Sequence, residues 1–227
     1  FRRERAQKGR QRQFHQFGVE AFGSKFAEQE AETIAVAWHI LSNCGLTENT
    51  TLLLNSIGTS ECRSAYREAL KHFLEPHLND LSETSRKRLH HNPLRILDTK
   101  NEKERSLLKD APEIADYYSK DDKEHLEEVK DFLSAMDIPF TINPRLVRGL
   151  DYYTKTVFEI TSSDLGSQDA LLGGGRYDDL VENLGGKPTP GIGFAAGMER
   201  ILLLINEKQQ KANKPSPDIY FICLEKS

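Results

Sequence analysis

FRRERAQKGRQRQFHQFGVEAFG, residues 1–23, reads as two extended segments joined by a basic loop. Successive side chains on a strand alternate between its faces. In the second segment Phe14, Gln16, Gly18 and Glu20 share one face, and His15, Phe17, Val19 and Ala21 share the other. The second face is the more apolar and is expected against the core. The first holds an amide and a carboxylate, with a glycine between them that leaves room for something to lie along the strand. Arg2 and Glu4 share a face of the first segment in the same way, and the loop carries Lys8, Arg10 and Arg12 around Gly9. A pleated surface with inward polar groups and a cationic loop suits a small polar ligand beside a polyphosphate. The same hairpin also reads as a solvated edge, where charge blocks edge-to-edge pairing.

With 227 residues the chain can form one large domain or two small ones. Its net charge of -4 offers no global polycation, so any RNA contact must come from local patches. Cys44, Cys62 and Cys223 show neither CxxC spacing nor a disulfide framework, which suits a reducing cytosol. No apolar run approaches the roughly 20 residues of a membrane span, and no signal peptide is visible. The chain opens within a strand and without an initiator Met, so a piece of a longer protein is expected.

After the hairpin, residues 24–43 read as a helix capped by Ser24, with Glu28 and Glu30 near its start and Ile34, Trp38 and Leu41 at helical spacing. Trp38 and His39 are read as helix packing. TTLLLNSI, residues 50–57, reads as a buried strand. From residue 59 to 137 charge dominates, and helical periods appear over 61–73, 80–90 and 122–136. A helical module set between two pieces of a sheet domain is expected. Its cations Arg63, Arg67, Lys71, Arg86, Lys87 and Arg88 could meet phosphates; interleaved acids favour a solvated face. His90 and His91 diverge on a helix and are read as structural or surface residues rather than a metal pair. Residues 138–143 and 152–162 read as strands. Residues 170–172 re-enter the sheet and run into Gly173-Gly174-Gly175, which permits close approach to a ligand, a bend or a tight turn. A short helix over 178–184, a strand over 191–197 and a helix over 198–208 follow. Residues 209–217 form a polar linker, and DIYFICL, residues 218–224, begins another domain.

FRRER followed by KGRQRQFHQFGVE resembles motif 2 of class II aminoacyl-tRNA synthetases in its histidyl form. LVRGLDYYTKTVFE, residues 146–159, resembles the histidine-specific signature of histidyl-tRNA synthetases. GGGRYDDL, residues 173–180, precedes GIGFAAGMER, residues 191–200, which resembles class II motif 3. Three long matches in the right order are highly specific. The resemblance implies an α+β fold: a mainly antiparallel class II aminoacyl-tRNA synthetase sheet flanked by helices, with a helical insertion domain. It divides the chain into a catalytic domain over 1–58 and 138–208, an insertion domain over 59–137 that approaches the tRNA acceptor arm, the linker, and the start of an anticodon-binding domain over 218–227.

The implied activity is ATP-dependent ligation of L-histidine to tRNA(His) through histidyl-adenylate, in the cytoplasm, by a parent protein that is a homodimer. The substrate carboxylate is already ionised at pH 7, so catalysis rests on positioning and on charge stabilisation at phosphorus. By resemblance Arg2 binds the α-phosphate, and Arg148 reaches that phosphate and the substrate carboxylate. If each supplies about 3 kcal/mol, that is of order a hundredfold in rate apiece. Glu4 resembles the acid near adenine, Arg10 and Lys8 contact phosphates, and Arg200 holds the γ-phosphate. Arg200 sits in the first turn of a helix, where a cation becomes favourable if an anion is bound between it and the helix dipole. On spacing alone Arg200 is a surface residue paired with Glu199 or another acid. Glu20 and Tyr153 grip the imidazole nitrogens, Gln16 accepts from the ammonium, and Tyr152 and Tyr177 line the pocket. Mg2+ bridging phosphates is expected from the reaction. The rival implied by the same resemblance is the non-ligating histidine-binding regulatory subunit of ATP phosphoribosyltransferase. Nothing here resembles motif 1, which leaves activity and dimerisation of the isolated chain open.

Overall fold

Alternation in the stretch after the basic loop persists in the computed structural model, which describes residues 1, 3, 11–147, 152–166 and 169–208. In β1 (Gln16–Phe22) every second residue is exposed, and Phe17 and Val19 pack toward the core. The chain continues through α1 (Ala27–Asn43), β2 (Thr50–Ser56), α2 (Ser60–Leu74), α3 (Glu83–His91), α4 (Glu102–Leu107) and α5 (Lys120–Ala135). It returns through β3 (Thr141–Ile142), β4 (Thr154–Ser162), β5 (Ala170–Arg176), α6 (Leu180–Asn183), β6 (Gly191–Gly197) and α7 (Met198–Lys208). One sheet has the order β1-β6-β5-β4-β2-β3. Its pairings are antiparallel except β2 with β3.

Four local expectations are corrected. Ser24 does not cap α1: its hydroxyl accepts the Phe26 N–H at 3.3 Å in the preceding turn, and the N-cap position is Phe26, with no side-chain bond. The strand expected over 138–143 shrinks to two exposed residues, because Pro139 and Pro144 flank it without N–H groups to extend the ladder. Residues 173–175 make neither a bend nor a turn; they lie inside β5. The helix expected from residue 178 starts at Leu180, because Asp178 is tied to the sheet by Arg176 and by its own N–H to Thr154 Oγ1 at 3.1 Å.

The core face of the sheet meets α1 and α5. Ile34 and Leu41 from α1, Val129 and Leu133 from α5, and Leu52, Leu54, Phe158, Ile160 and Phe194 from the strands form one apolar cluster. Trp38 packs against it, while His39 points to solvent. Within this layer Glu30 and Arg176 are both fully buried. Arg176 Nε donates to Glu30 at 2.7 Å, its Nη2 pairs with the second carboxylate oxygen, and His125 Nε2 on α5 lies 2.5 Å from Glu30. Its Nη1 reaches Ser24 O and Asp178 at 2.9 Å, and Nη2 also donates to Phe26 O at 3.3 Å. Burial raises the Glu30 pKa, but the bonds and charges of Arg176 and His125 outweigh it, and the carboxyl sits below its ordinary value.

Helices α2 to α4 build a second cluster on the opposite side of the sheet. Tyr66, Leu70, Leu74, Leu89 and Ile96 meet Leu146, Tyr153, Val157 and Tyr177 there. Glu104, 1% exposed, accepts from the Ser82 N–H at 2.6 Å, from Ser85 Oγ at 3.0 Å and from Thr99 Oγ1. Burial raises its pKa, and these hydrogen bonds together bring it below the ordinary range. Several cations of this region serve the fold: Arg86 Nε donates to Leu81 O at 3.0 Å and Arg88 to Arg95 O at 2.8 Å. Arg63 is buried rather than on a solvated face. His90 and His91 are exposed.

Removing one partner of a buried ion pair strands the other charge. Glu30→Ala is therefore expected to cost about 3–5 kcal/mol in urea unfolding. For Glu104 a lowered carboxyl pKa means stability that is present above the unfolded value and lost as pH falls through the folded one. Glu104→Gln is expected to cost about 1–3 kcal/mol at pH 7, with the difference from the parent chain shrinking in acid. A difference that grows in acid would contradict the clasp.

Candidate functional site

Strand register lays out the other face of the sheet in rows. Gln16 stands opposite Gly197, Gly18 opposite Ala195, and Glu20 opposite Gly193. From β6 the rows continue into β5, Ala195 to Gly173 and Gly193 to Gly175, and then into β4 at Glu159 and Val157. The floor between β1 and β4 is therefore almost bare of side chains. A Cβ on Gly193 would overlap the Glu20 carboxylate, which folds across it. On Gly191 it would come 2.5 Å from the Tyr177 ring, and on Gly175 2.9 Å from the Tyr153 ring. Glycine is the residue that lets these groups lie flat on the backbone.

At one end of this floor four candidate residues meet. The Tyr177 hydroxyl donates to Glu20 Oε2. Tyr177 stands edge-on to Tyr152, with ring centroids 5.9 Å apart, and Tyr152 lies 4.8 Å from Tyr153. Phe22 closes the cluster edge-on to Tyr177 at 6.2 Å. Tyr153 and Tyr177 are 6% and 7% exposed, so their hydroxyls work in a partly dry setting. Burial, then the hydrogen bond to Glu20 and its charge, push the Tyr177 phenol well above its ordinary pKa. A neutral phenol beside an ionised carboxylate can recognise a planar ring with both a donor and an acceptor nitrogen.

Gln16 lies four residues from Glu20, about 13 Å along the strand. This end of the floor adjoins the first turn of α7. Arg200 Nη1 donates to Ala170 O at the start of β5, and its stem lies against Gly197. Glu199 turns the other way: its carboxylate accepts the His15 N–H at 2.9 and 3.0 Å and meets His15 Nδ1 at 2.8 Å. The His15 carbonyl in turn accepts the Met198 N–H at 3.0 Å. Hydrogen bonding from His15 holds the Glu199 carboxyl below its usual range.

The structure thus gathers Glu20, Tyr152, Tyr153 and Tyr177 at one end of the face and places Gln16 and Arg200 at the other. Arg2, Glu4, Lys8, Arg10 and Arg148 lie outside the described residues. Phe22, the β6 part of the glycine floor and the Glu199–His15 pairing are not read from sequence. Alternate glycines in GIGFAAG, at 191, 193 and 197, were the available signal for the floor. A cleft of about 500 Å³ opens beside Tyr152, lined by Arg63, Arg67, Asp179 and Glu182 among others. Its mixed signs give no net pull on an anion. Among the described residues no three His, Cys, Asp or Glu side chains group to hold a metal ion.

Residues 1–201 match the family model described as histidyl-tRNA synthetase. A histidine–tRNA ligase of Synechococcus sp. (strain JA-3-3Ab) is 51% identical over 222 residues, 98% of this chain and 53% of that protein. One from Wolbachia pipientis wMel is 52% identical over 206 residues, 91% of this chain and 50% of the relative. The crystal structure of apo S. aureus histidyl-tRNA synthetase superposes with a TM-score of 0.69 at 40% identity, over 87% of this chain and 48% of that one. The chain spans about half the length of the curated relatives it matches.

Glu20→Gln is expected to bring the Tyr177 phenol closer to the ordinary value of about 10, read by NMR of ring-labelled tyrosine, and Glu20→Ala should move it in the same direction. An unmoved Tyr177 titration in both variants would show that Glu20 does not govern it.

Proposed function

The chain belongs to the histidyl-tRNA synthetase family, and from that premise we propose that it carries the catalytic core of an enzyme that activates L-histidine with ATP and transfers it to tRNA(His). The observation that supports the reading best is the Glu20–Tyr177 pair, with Tyr153 beside it, over a glycine floor. An imidazole entering there exchanges the Glu20–Tyr177 bond for its own: Glu20 accepts from one ring N–H, and Tyr153 serves the other nitrogen. The substrate ammonium then points along β1 toward Gln16, and its carboxylate toward the α7 end.

At that end the nucleotide lies over Gly18 and Ala195, where the strand backbones leave space for it. A histidine carboxylate oxygen attacks the α-phosphorus of ATP and pyrophosphate leaves. The terminal ribose hydroxyl of the tRNA next attacks the acyl carbon, and AMP leaves. In this reading Arg2 and Arg148 neutralise charge at the α-phosphate, Glu4 and Arg10 hold the nucleotide, and Arg200 meets the γ-phosphate near the N-terminus of α7. That end already hosts the Glu199 carboxylate, which its pairing with His15 keeps ionised. The described residues form no dedicated cation cage, so Mg2+ would arrive held by the phosphates and water, as is usual for this ion, and no step is assigned to it.

Residues 59–137 are assigned to the insertion domain on the acceptor-arm side, with 1–58 and 138–208 as the catalytic domain. Residues 209–227, taken as the linker and the start of the anticodon-binding domain, lie outside the described residues. No helix among the described residues is long and apolar enough to cross a membrane; a cytoplasmic homodimer is proposed for the whole protein. The regulatory-subunit reading gains nothing from the named relatives at 51–52% identity, both of which are ligases.

The test is ATP–pyrophosphate exchange that depends on L-histidine, in the full-length parent. Glu20→Gln is expected to lower kcat/KM for histidine by about a hundredfold or more, with KM for ATP little changed. Arg148→His should depress kcat strongly. A folded parent that binds histidine but catalyses no exchange would reject the ligase and favour the regulatory subunit.

A further inference from the structure

Arg63 was read as one cation of a solvated face, and its surroundings give it another task. It lies in the first turn of α2 and is 9% exposed. Its Nη1 donates to the Tyr153 carbonyl at 2.8 Å and to the Gly58 carbonyl at 3.1 Å. Both acceptors sit where the sheet is irregular. Gly58, just beyond β2, has φ +64°, and Lys155, facing it across the pair, has φ 47°. The Ile57 N–H donates to Lys155 O at 2.7 Å and the Lys155 N–H to Gly58 O at 2.9 Å. The β4–β5 register shifts between Thr154 and Val157. Tyr153 therefore stands just before the ordered ladder, and a side chain from α2 supplies the donor to its carbonyl.

One edge of the Tyr153 ring lies against Gly175, and the ring stacks at a tilt on Tyr152, which in turn touches Tyr177. A shift of the Tyr153 backbone would carry the ring off this floor and disturb the aromatic wall that faces Glu20. Burial and the adjacent charge of Arg67 both disfavour the Arg63 cation. Its Nη1 meets both carbonyls, held in orientation by a rigid planar group where an ammonium on a flexible stem would not be.

We infer that Arg63 is a positioning residue for the histidine pocket, through which the helical segment sets the place of Tyr153 by holding its main-chain carbonyl. The inference rests on the function proposed above. It predicts an effect concentrated on histidine, because the carbonyl that Arg63 holds belongs to Tyr153, whose ring faces the imidazole in that reading.

The experiment uses the full-length parent, with Arg63→Met and Arg63→Lys. Histidine-dependent ATP–pyrophosphate exchange is measured against each substrate in turn, alongside thermal unfolding. Arg63→Met keeps the apolar stem and removes the donors; KM for histidine is expected to rise about tenfold, with KM for ATP within about twofold. Arg63→Lys should give a smaller rise, because an ammonium still carries donors for these carbonyls but on a flexible stem without a fixed plane. Equal changes in both KM values, or a histidine KM unmoved in an active Met variant, would overturn the role. Should the Met variant fail to fold, a wild-type histidine KM in Arg63→Lys would overturn it equally. Absence of exchange from the unsubstituted protein would reject the function itself, and the inference with it.

Discussion

A fully buried guanidinium paired with a fully buried carboxylate governs much of this structure. Arg176 and Glu30 can neither be separated nor exposed without leaving an uncompensated charge in the core. The pair therefore pins three elements to one point: the end of β5, the first turns of α1, and α5 through His125. The next residue after Arg176 is Tyr177. Side chains alternate across a strand, so anchoring Arg176 on the core side turns Tyr177 to the other side, where it meets Glu20. The polar joint in the core and the polar pair in the pocket are thus consecutive residues of one strand end.

Glycine decides where a ligand could lie. The core face of the sheet is filled by Leu, Ile and Phe side chains meeting two helices, whereas the opposite face is thinned at Gly18, Gly173, Gly175, Gly191 and Gly193. Groups at the ends of that strip rest directly on backbone. Aromatic rings and a carboxylate gather at one end. The other end has an arginine in the first turn of a helix and a glutamate bonded to His15, just before β1. A substrate with a ring at one end and phosphates at the other matches this polarity.

Much of this is legible in residues 14–23 and 191–208. The alternation of Phe17 and Val19 against Gln16 and Glu20 required only the period of a strand, and α7 begins and ends where its pattern does. Other features depend on partners distant in sequence. Ser24 looks like a cap, but its hydroxyl is taken by a turn two residues on. Arg63 is surrounded in sequence by acids and looks solvated; only folding brings it to carbonyls at 58 and 153. The run 138–143 has strand composition, yet its flanking prolines confine pairing to two residues. The guanidiniums expected at the α-phosphate, Arg2 and Arg148, lie outside the described residues, so their placement rests on resemblance alone.

The segment between β2 and β3 leaves and re-enters the sheet on adjoining strands, with the Asn143 N–H bonded back to Leu54 O at 2.9 Å. Only a short bridge would be needed to rejoin ends spaced so closely. The segment's last helix, however, belongs to the core of the sheet: Val129 and Leu133 of α5 fill it beside α1, and His125 Nε2 reaches Glu30. Any shortening of this region therefore has a limit at Ser119, which caps α5. Cutting past it would remove side chains that the sheet's core face rests on.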